Sequence, residues 1–394
     1  MAWGFGYAET DREMIAYGRQ SIDSEDIVAV ADVLSGNYLT TGPKVGEFEQ
    51  ALAEKCGVKY AVALSNGTAA LHIGAKTILN SGDKVLTTPI SFVATSNSIL
   101  YADATPIFVD VDDGANIDLN LCEDALKKDG SVKAIFAVDF TGRCVDPDGL
   151  RFLKDKYGVK ILEDAAHSLG STHLAKGSDL ATLSFHPVKH ITTGEGGAIL
   201  TNDEEIYKRS KLLRGHGITR EPSEFVLADE AFGEDGLPNP WYYEMSDLGF
   251  NYRITDFQCA LGISQLSKLD KFINRRKEIA ATYDEKLKEH PLISPLYRFD
   301  FDSAYHLYVA MIDYEAAGVS RKELFGRLNG KKIFPQVHYI PINMQPYYRG
   351  LGYDPCDTPK ALEYYRRCIS LPIYPDLTDD LQDYVLSCLF GALK

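Results

Sequence analysis

Lys189 lies in the run Ser184-Phe185-His186-Pro187-Val188-Lys189-His190-Ile191-Thr192-Thr193-Gly194-Glu195-Gly196-Gly197. On either side is an apolar stretch with strand character, residues 180–185 and 197–201. Burial disfavours an ammonium, so a lysine held between two buried strands is biased toward the neutral amine that condenses with a carbonyl. About 25 residues upstream, residues 159–165 read as a buried strand ending in Glu163-Asp164-Ala165-Ala166-His167. A carboxylate at a strand's carboxyl end and a lysine in a following strand loop are the pair that pyridoxal phosphate (PLP) requires. The aspartate keeps the pyridine nitrogen protonated and the lysine holds the aldehyde. Any single lysine is by default a solvated surface residue. Asp164 and the glycine-rich exit 194–197 set Lys189 apart from that default.

The elements that must position these residues follow from periodicity. Strands are expected at 60–64, 84–88, 105–111, 133–140, 159–164, 180–185 and 197–201, and helices at 45–56, 68–79, 92–101, 119–128 and 147–157. Strands alternating with crossover helices imply an α/β protein with a large, mostly parallel sheet covered on both faces. Ligands then bind at the carboxyl ends of the strands. From Glu221 to Tyr252 the chain is acidic, aromatic and broken by Pro and Gly, which marks a functional or interface loop. Helices at 256–266 and 268–290 follow, the second a bridge to a smaller C-terminal α/β domain. That domain is expected to hold a strand at 306–313, an extended stretch at 333–340, and helices at 320–328, 358–369 and 379–393. The division is therefore residues 1–266, including the N-terminal segment and the 221–250 loop, and residues 267–394.

Other motifs leave alternatives open. Ser65-Asn66-Gly67-Thr68-Ala69 after a strand is either a phosphate cradle at a helix N-terminus or an ordinary helix start. No GK[ST] and no GxGxxG is present, so neither a Walker loop nor a dinucleotide fingerprint is encoded. Phe92, at a strand-to-helix junction, either stacks on a flat ring or fills the core. Asn251, in Asn251-Tyr252-Arg253, reads as a helix cap before it reads as a phosphate ligand. His186 and His190 are separated by Pro187, and HExxH is absent, so no metal site is expected.

Composition narrows the classes. The chain has 394 residues, a net charge of −15 and no Lys/Arg-rich tract, so no nucleic-acid partner is expected. Seven scattered cysteines without a CxxC pair point to free thiols in the cytoplasm. Residues 1–9 lack the charged and apolar regions of a signal peptide, and no apolar run is long enough to span a membrane.

Taken together, Asn66-Gly67-Thr68-Ala69-Ala70, Glu163 to His167, Ser184 to Lys189, Glu195-Gly196-Gly197, Asn251-Tyr252-Arg253 and Val337-His338-Tyr339 resemble the DegT/DnrJ/EryC1/StrS sugar aminotransferases. The likeness spans essentially the whole chain and implies the fold-type I PLP-dependent transferase architecture. Tyr17 to Ile22, Thr87 to Thr95 and Asp113 to Asp118 are similar to one branch of that family. That branch moves an amino group from L-glutamate to C4 of a UDP-linked 4-keto-6-deoxy-N-acetyl-L-hexosamine, in pseudaminic acid biosynthesis. By the resemblance, Lys189 binds the cofactor aldehyde and shuttles the proton, and Asp164 pairs with the pyridinium. Gly67, Thr68 and Ser184 hold the phosphate, Phe92 stacks on the ring, and His167 lies near the ring hydroxyl. Asn251 reaches the phosphate from the neighbouring subunit, which implies a homodimer with composite sites. Tyr17, Asn37, Tyr38, Leu39, Thr40, Val337, His338 and Tyr339 line the sugar-nucleotide site. The alternatives are the same chemistry on a 3-keto or GDP-linked 4-keto sugar, a PLP-dependent sugar dehydratase, or a non-catalytic relative. The dehydratase branch carries His in place of the lysine, so Lys189 argues against it, and intact Asp164 and Lys189 argue against a non-catalytic relative.

Overall fold

In the computed structural model, residues 14–393 are described. The N-terminal stretch 1–9 discussed above lies outside them. Seven strands form one sheet in the order Tyr60–Leu64, Gly197–Thr201, Leu180–Ser184, Lys160–Asp164, Val132–Val138, Lys84–Thr87, Thr105–Phe108. Gly197–Thr201 runs antiparallel to both neighbours, and every other pairing is parallel. Its strands are short and almost wholly buried, as crossover helices on both faces demand. The helices Gly67–Ile78, Val93–Tyr101, Leu119–Lys128 and Pro147–Tyr157 alternate with the strands.

Register sets the geometry of the working edge. Leu64 and Ser184 both pair with Gly197, so two strand ends converge on one glycine. A Cβ on Gly197 would lie 2.5 Å from the Asn66 carbonyl oxygen and 2.7 Å from the Gly67 nitrogen. Only a hydrogen atom fits between the strand and the turn that opens the helix Gly67–Ile78. Asp164 ends its strand at the same edge.

A second core forms around a three-stranded antiparallel sheet, Ile293–Pro295, Tyr308–Ile312 and Cys368–Leu371. The helices Arg321–Asn329 and Asp379–Ala392 cover it. Cys368–Leu371 falls where periodicity extends a helix to 369. That helix, Pro359–Arg367, ends earlier because Cys368 to Leu371 find a strand partner in Tyr308–Ile312. The extended stretch 333–340 contains only a two-residue strand, Ile333–Phe334, paired in parallel with Ile15–Ala16. Ile15 thus packs in the C-terminal core, so the N-terminal segment, grouped by sequence with the large unit, contributes to the small one.

The helices Ser24–Leu34 and Glu204–Arg214 are not among those expected above, although Asp23 and Asp203 cap them. The first docks through a charged contact: buried Asp26 accepts from Gln265 Nε2 at 2.7 Å and Ser264 Oγ at 2.6 Å. The 221–250 segment is folded rather than structureless. Its strand Glu244–Met245 pairs with Ile218–Thr219, and Glu244 accepts the N–H groups of Val226 and Leu227. Among the described residues no helix is long and apolar enough to cross a membrane.

Candidate active site

A cavity of about 1100 Å³ opens at the carboxyl edge of the sheet. Gly67, Thr68, Phe92, Asp164, His167, Ser184 and Lys189 line it, together with Tyr17, Val337, His338 and Tyr339. Asn37, Tyr38, Leu39, Thr40 and Asn251 are not among its lining residues. The stretch 37–40 lies at the start of the helix Asp256–Ser267, where Asp256 N–H donates to Leu39 O at 3.0 Å and Thr40 bridges Thr255. Asn251 is exposed and its backbone bridges Gly215. It does not cap the following helix, because Thr255 does so, in a capping box with Gln258.

Asp164 is buried at its strand end. It accepts from Thr95 Oγ1 at 2.6 Å and from the Ala166 N–H at 3.2 Å. Burial raises its carboxyl above the usual range, and the Thr95 hydroxyl, the Ala166 N–H and Lys189 pull the other way. Thr95 in turn meets Ser91, which precedes the helix Val93–Tyr101, at 2.7 Å.

Lys189 Nζ lies 3.3 Å from His306 Nε2. Burial lowers its pKa from 10.5 to about 8, opposed by Asp164 and assisted by the Arg276 charge. Burial likewise holds His167, His190 and His306 well below the usual imidazole value. Whether Lys189 Nζ or His306 Nε2 donates depends on the His306 tautomer, and the other ring nitrogen, Nδ1, is buried with no partner.

The phosphate reading and the helix-start reading of Asn66–Thr68 are compatible. Asn66 caps the helix by accepting from Ala69 N–H at 2.8 Å. The first N–H groups of a helix have no intrahelical carbonyl and point at the cavity edge. A Cβ on Gly67 would lie 2.9 Å from Ser184 Cβ, so the turn and the Ser184 strand end are pressed together. Phe92 is 59% exposed, which excludes the core reading. His167 Nε2 lies 3.2 Å from the Tyr339 hydroxyl, while its Nδ1 is buried with no partner. His186 lines the cavity and is exposed, whereas His190 is buried and lies 3.2 Å from the Ala304 carbonyl, so the two do not converge.

Thr95 and His306 are site residues that sequence reasoning passed over. Thr95 lies in the first turn of the helix Val93–Tyr101, directly after the Phe92 junction, and that position was the usable signal. His306 had none, because it is 117 residues from Lys189 and is delivered by a turn.

This donor set fits PLP on structural grounds. A buried carboxylate and a lysine of lowered basicity line one cavity, His167 beside them keeps a buried ring nitrogen without a partner, and a glycine-tight helix N-terminus borders the same cavity. Residues 20–390 match the profile of the DegT/DnrJ/EryC1/StrS aminotransferase family. The chain belongs to that family. It is 36% identical to the spore coat polysaccharide biosynthesis protein SpsC of Bacillus subtilis, covering 96% of this chain and 97% of that one. It is 37% identical to the UDP-4-amino-4,6-dideoxy-N-acetyl-beta-L-altrosamine transaminase of Campylobacter jejuni, covering 97% of this chain and 98% of that one. Among solved structures it resembles Helicobacter pylori PseC, an aminotransferase involved in the biosynthesis of pseudaminic acid. That match has a TM-score of 0.88 and 32% identity over 97% of this chain and 99% of that one. Like others of the DegT/DnrJ/EryC1/StrS group, the protein is a PLP-dependent sugar aminotransferase of the fold-type I class.

Proposed function

We propose that this protein moves an amino group from L-glutamate to C4 of a UDP-linked 4-keto-6-deoxy-N-acetyl-L-hexosamine. The product is the 4-amino-4,6-dideoxy-N-acetyl-β-L-altrosamine nucleotide of the pseudaminic acid pathway. The observation that carries the chemistry is Lys189, an amine of lowered basicity beside Asp164 in one cavity. The names of relatives across the whole chain support the substrate.

PLP supplies an electron sink for the carbon that loses or gains a proton. Gly67, Thr68 and Ser184 would hold its phosphate, Phe92 would pack against its ring, and Asp164 would keep its ring nitrogen charged. Lys189 Nζ takes the proton from the donor's α-carbon and delivers one to sugar C4. With a pKa of about 8 it is divided between amine and ammonium near neutral pH, so it can serve as base and acid in turn. The neutral imidazoles of His167 and His306 border it without adding competing charge. Tyr17, Val337, His338 and Tyr339 form the wall against which the sugar is placed. His338 is fixed by Ser370 Oγ at 2.8 Å and meets the Tyr17 ring at 4.8 Å.

The proposal includes a homodimer with shared sites. Among the described residues the cavity lining holds one lysine and no arginine, yet a UDP acceptor brings two phosphates in addition to the cofactor's. A second chain supplying Asn251 and its neighbours meets that demand. The reading places the enzyme in the cytoplasm, where its seven free thiols are stable.

The test is amination of a panel of keto nucleotide sugars with glutamate and PLP, with the product solved by NMR. Nitrogen at C4 of the UDP-linked 4-keto sugar is expected. Nitrogen at C3, or reaction with GDP-linked sugars alone, overturns the substrate and leaves the aminotransferase class intact.

A further inference from the structure

The helix Leu269–Leu287 passes between the two cores. Leu269, Phe272 and Ile273 pack beneath the large sheet, while Ile279, Ala280, Tyr283 and Leu287 pack in the C-terminal core. Arg276 stands at the changeover and is fully buried. A buried guanidinium ordinarily carries a carboxylate. Arg276 instead donates from Nη1 to three backbone carbonyls, Tyr305 at 3.3 Å, His306 at 3.2 Å and Ile373 at 2.9 Å. Its Nε and Nη2 are buried without a partner.

Those carbonyls belong to two segments that reach the cavity. Tyr305, at φ +47°, makes the turn that sets His306 Nε2 3.3 Å from Lys189 Nζ. The Ile373 N–H donates to the Tyr17 carbonyl at 3.0 Å, and Tyr17 lines the cavity. We propose that Arg276 is a positioning residue for the chemistry at Lys189. It fixes the turn that seats His306 and the turn that seats Tyr17, and it leaves its own charge uncompensated toward the lysine.

The electrostatics agree with the geometry. Burial is the largest influence on Lys189, Asp164 favours its ammonium, and Arg276 disfavours it. His167 from the sheet edge, His186 and His190 from the lysine's own loop, His306 from the turn and His338 from the C-terminal segment also face it. All five are held below the usual imidazole value; Glu195 also lines the cavity but acts on His186, so Asp164 and Arg276 are the opposed fixed charges that act on the lysine. Without the guanidinium, Lys189 keeps its proton to higher pH.

This role rests on the aminotransferase reading, but its test needs no turnover. Lys189 in cofactor-free protein is acetylated with acetic anhydride across a pH series and quantified by peptide mass spectrometry. Arg276→Met is expected to move the labelling midpoint upward and to cut labelling at pH 7.5 by about threefold. Arg276→Lys keeps the charge, so its midpoint stays with the parent. The lysine chain is shorter, so its ammonium falls short of the Nη1 position from which all three carbonyls are reached. Amide hydrogen exchange at Leu307 and Ile373 should therefore quicken about tenfold in that variant. A folded Arg276→Met protein with the parent labelling curve overturns the proposal, as does an Arg276→Lys protein with parent exchange rates. If Arg276→Met does not fold, the exchange experiment decides alone. If both variants behave as expected and no keto nucleotide sugar is aminated, the substrate reading fails and the clamp stands.

Discussion

Lys189 and Asp164 combine two jobs that pull against each other. Burial that makes the lysine a usable base also raises the carboxyl of its partner, and the Thr95 hydroxyl and Ala166 N–H bring that carboxyl back toward ionisation. Lys189→Ala is expected to keep its fold and lose transamination by about 10³-fold or more, since covalent attachment and proton transfer vanish together. Circular dichroism and glutamate half-reaction kinetics check this, and near-parent turnover would sink the assignment. Behind the strand, Glu163 faces Asp139, with Cys144 alongside and their polar atoms within 4.8 Å of one another. Burial and the Asp139 charge raise Glu163 well above the usual carboxylate value. The folded protein therefore holds a proton that the unfolded chain releases. That stability is present in full below the unfolded carboxylate value and is lost as pH rises through the folded one. Glu163→Gln, neutral throughout, should flatten the fall of Tm with rising pH, and an unchanged slope would refute a proton held on Glu163.

At the scale of elements, the site depends on how closely one strand approaches one helix. Gly197 lies beside the Asn66–Gly67 turn with no room for a methyl group. Gly197→Ala must push the strand Gly197–Thr201 away from the helix Gly67–Ile78, at a cost of about 1–3 kcal/mol. The same displacement opens the turn expected to hold the phosphate. PLP affinity, read by fluorescence titration, should fall by about tenfold or more, whereas Gly130→Ala, where a Cβ meets nothing, should bind as the parent does. Equal binding by Gly197→Ala and the parent would separate this contact from the cofactor site.

The whole molecule displays an uncovered apolar surface. Val226, Trp241 and Leu248 of the 221–250 segment are each more than 70% exposed. Along the chain they lead directly to Asn251, which is exposed and does not line the active-site cavity of its own chain. The proposed two-fold dimer would cover this surface with a second copy. Trp241→Asp combined with Leu248→Asp should weaken self-association by about 30-fold in sedimentation equilibrium. Mixing Lys189→Ala with Asn251→Ala chains under subunit exchange should restore about a quarter of parent activity. Half of the randomly mixed dimers are heterodimers, and each has one intact composite site. No recovery despite proven exchange would mean that each site is built from a single chain.

The sequence by itself determined the alternating strands and helices of the large sheet, because buried parallel strands leave continuous apolar runs bounded by Gly, Pro and Asn. It also singled out Lys189 and Asp164 as a pair, because each follows or ends a buried strand, and the structure brings both to one cavity. Periodicity is a local signal, and where a local signal and a distant partner competed, the partner decided. Cys368 to Leu371 became a strand because Tyr308 to Ile312 was there to pair with. Ile15 joined the C-terminal core because Ile333 offered an edge. Phe92 faces the cavity and not the core, a choice its type left open. Asn251 lost its capping role to Thr255, four residues on. His306 and Arg276 entered the site only through tertiary structure, because a turn and a buried helix bring them to Lys189 from about 90 to 120 residues away, and no spacing rule reaches that far.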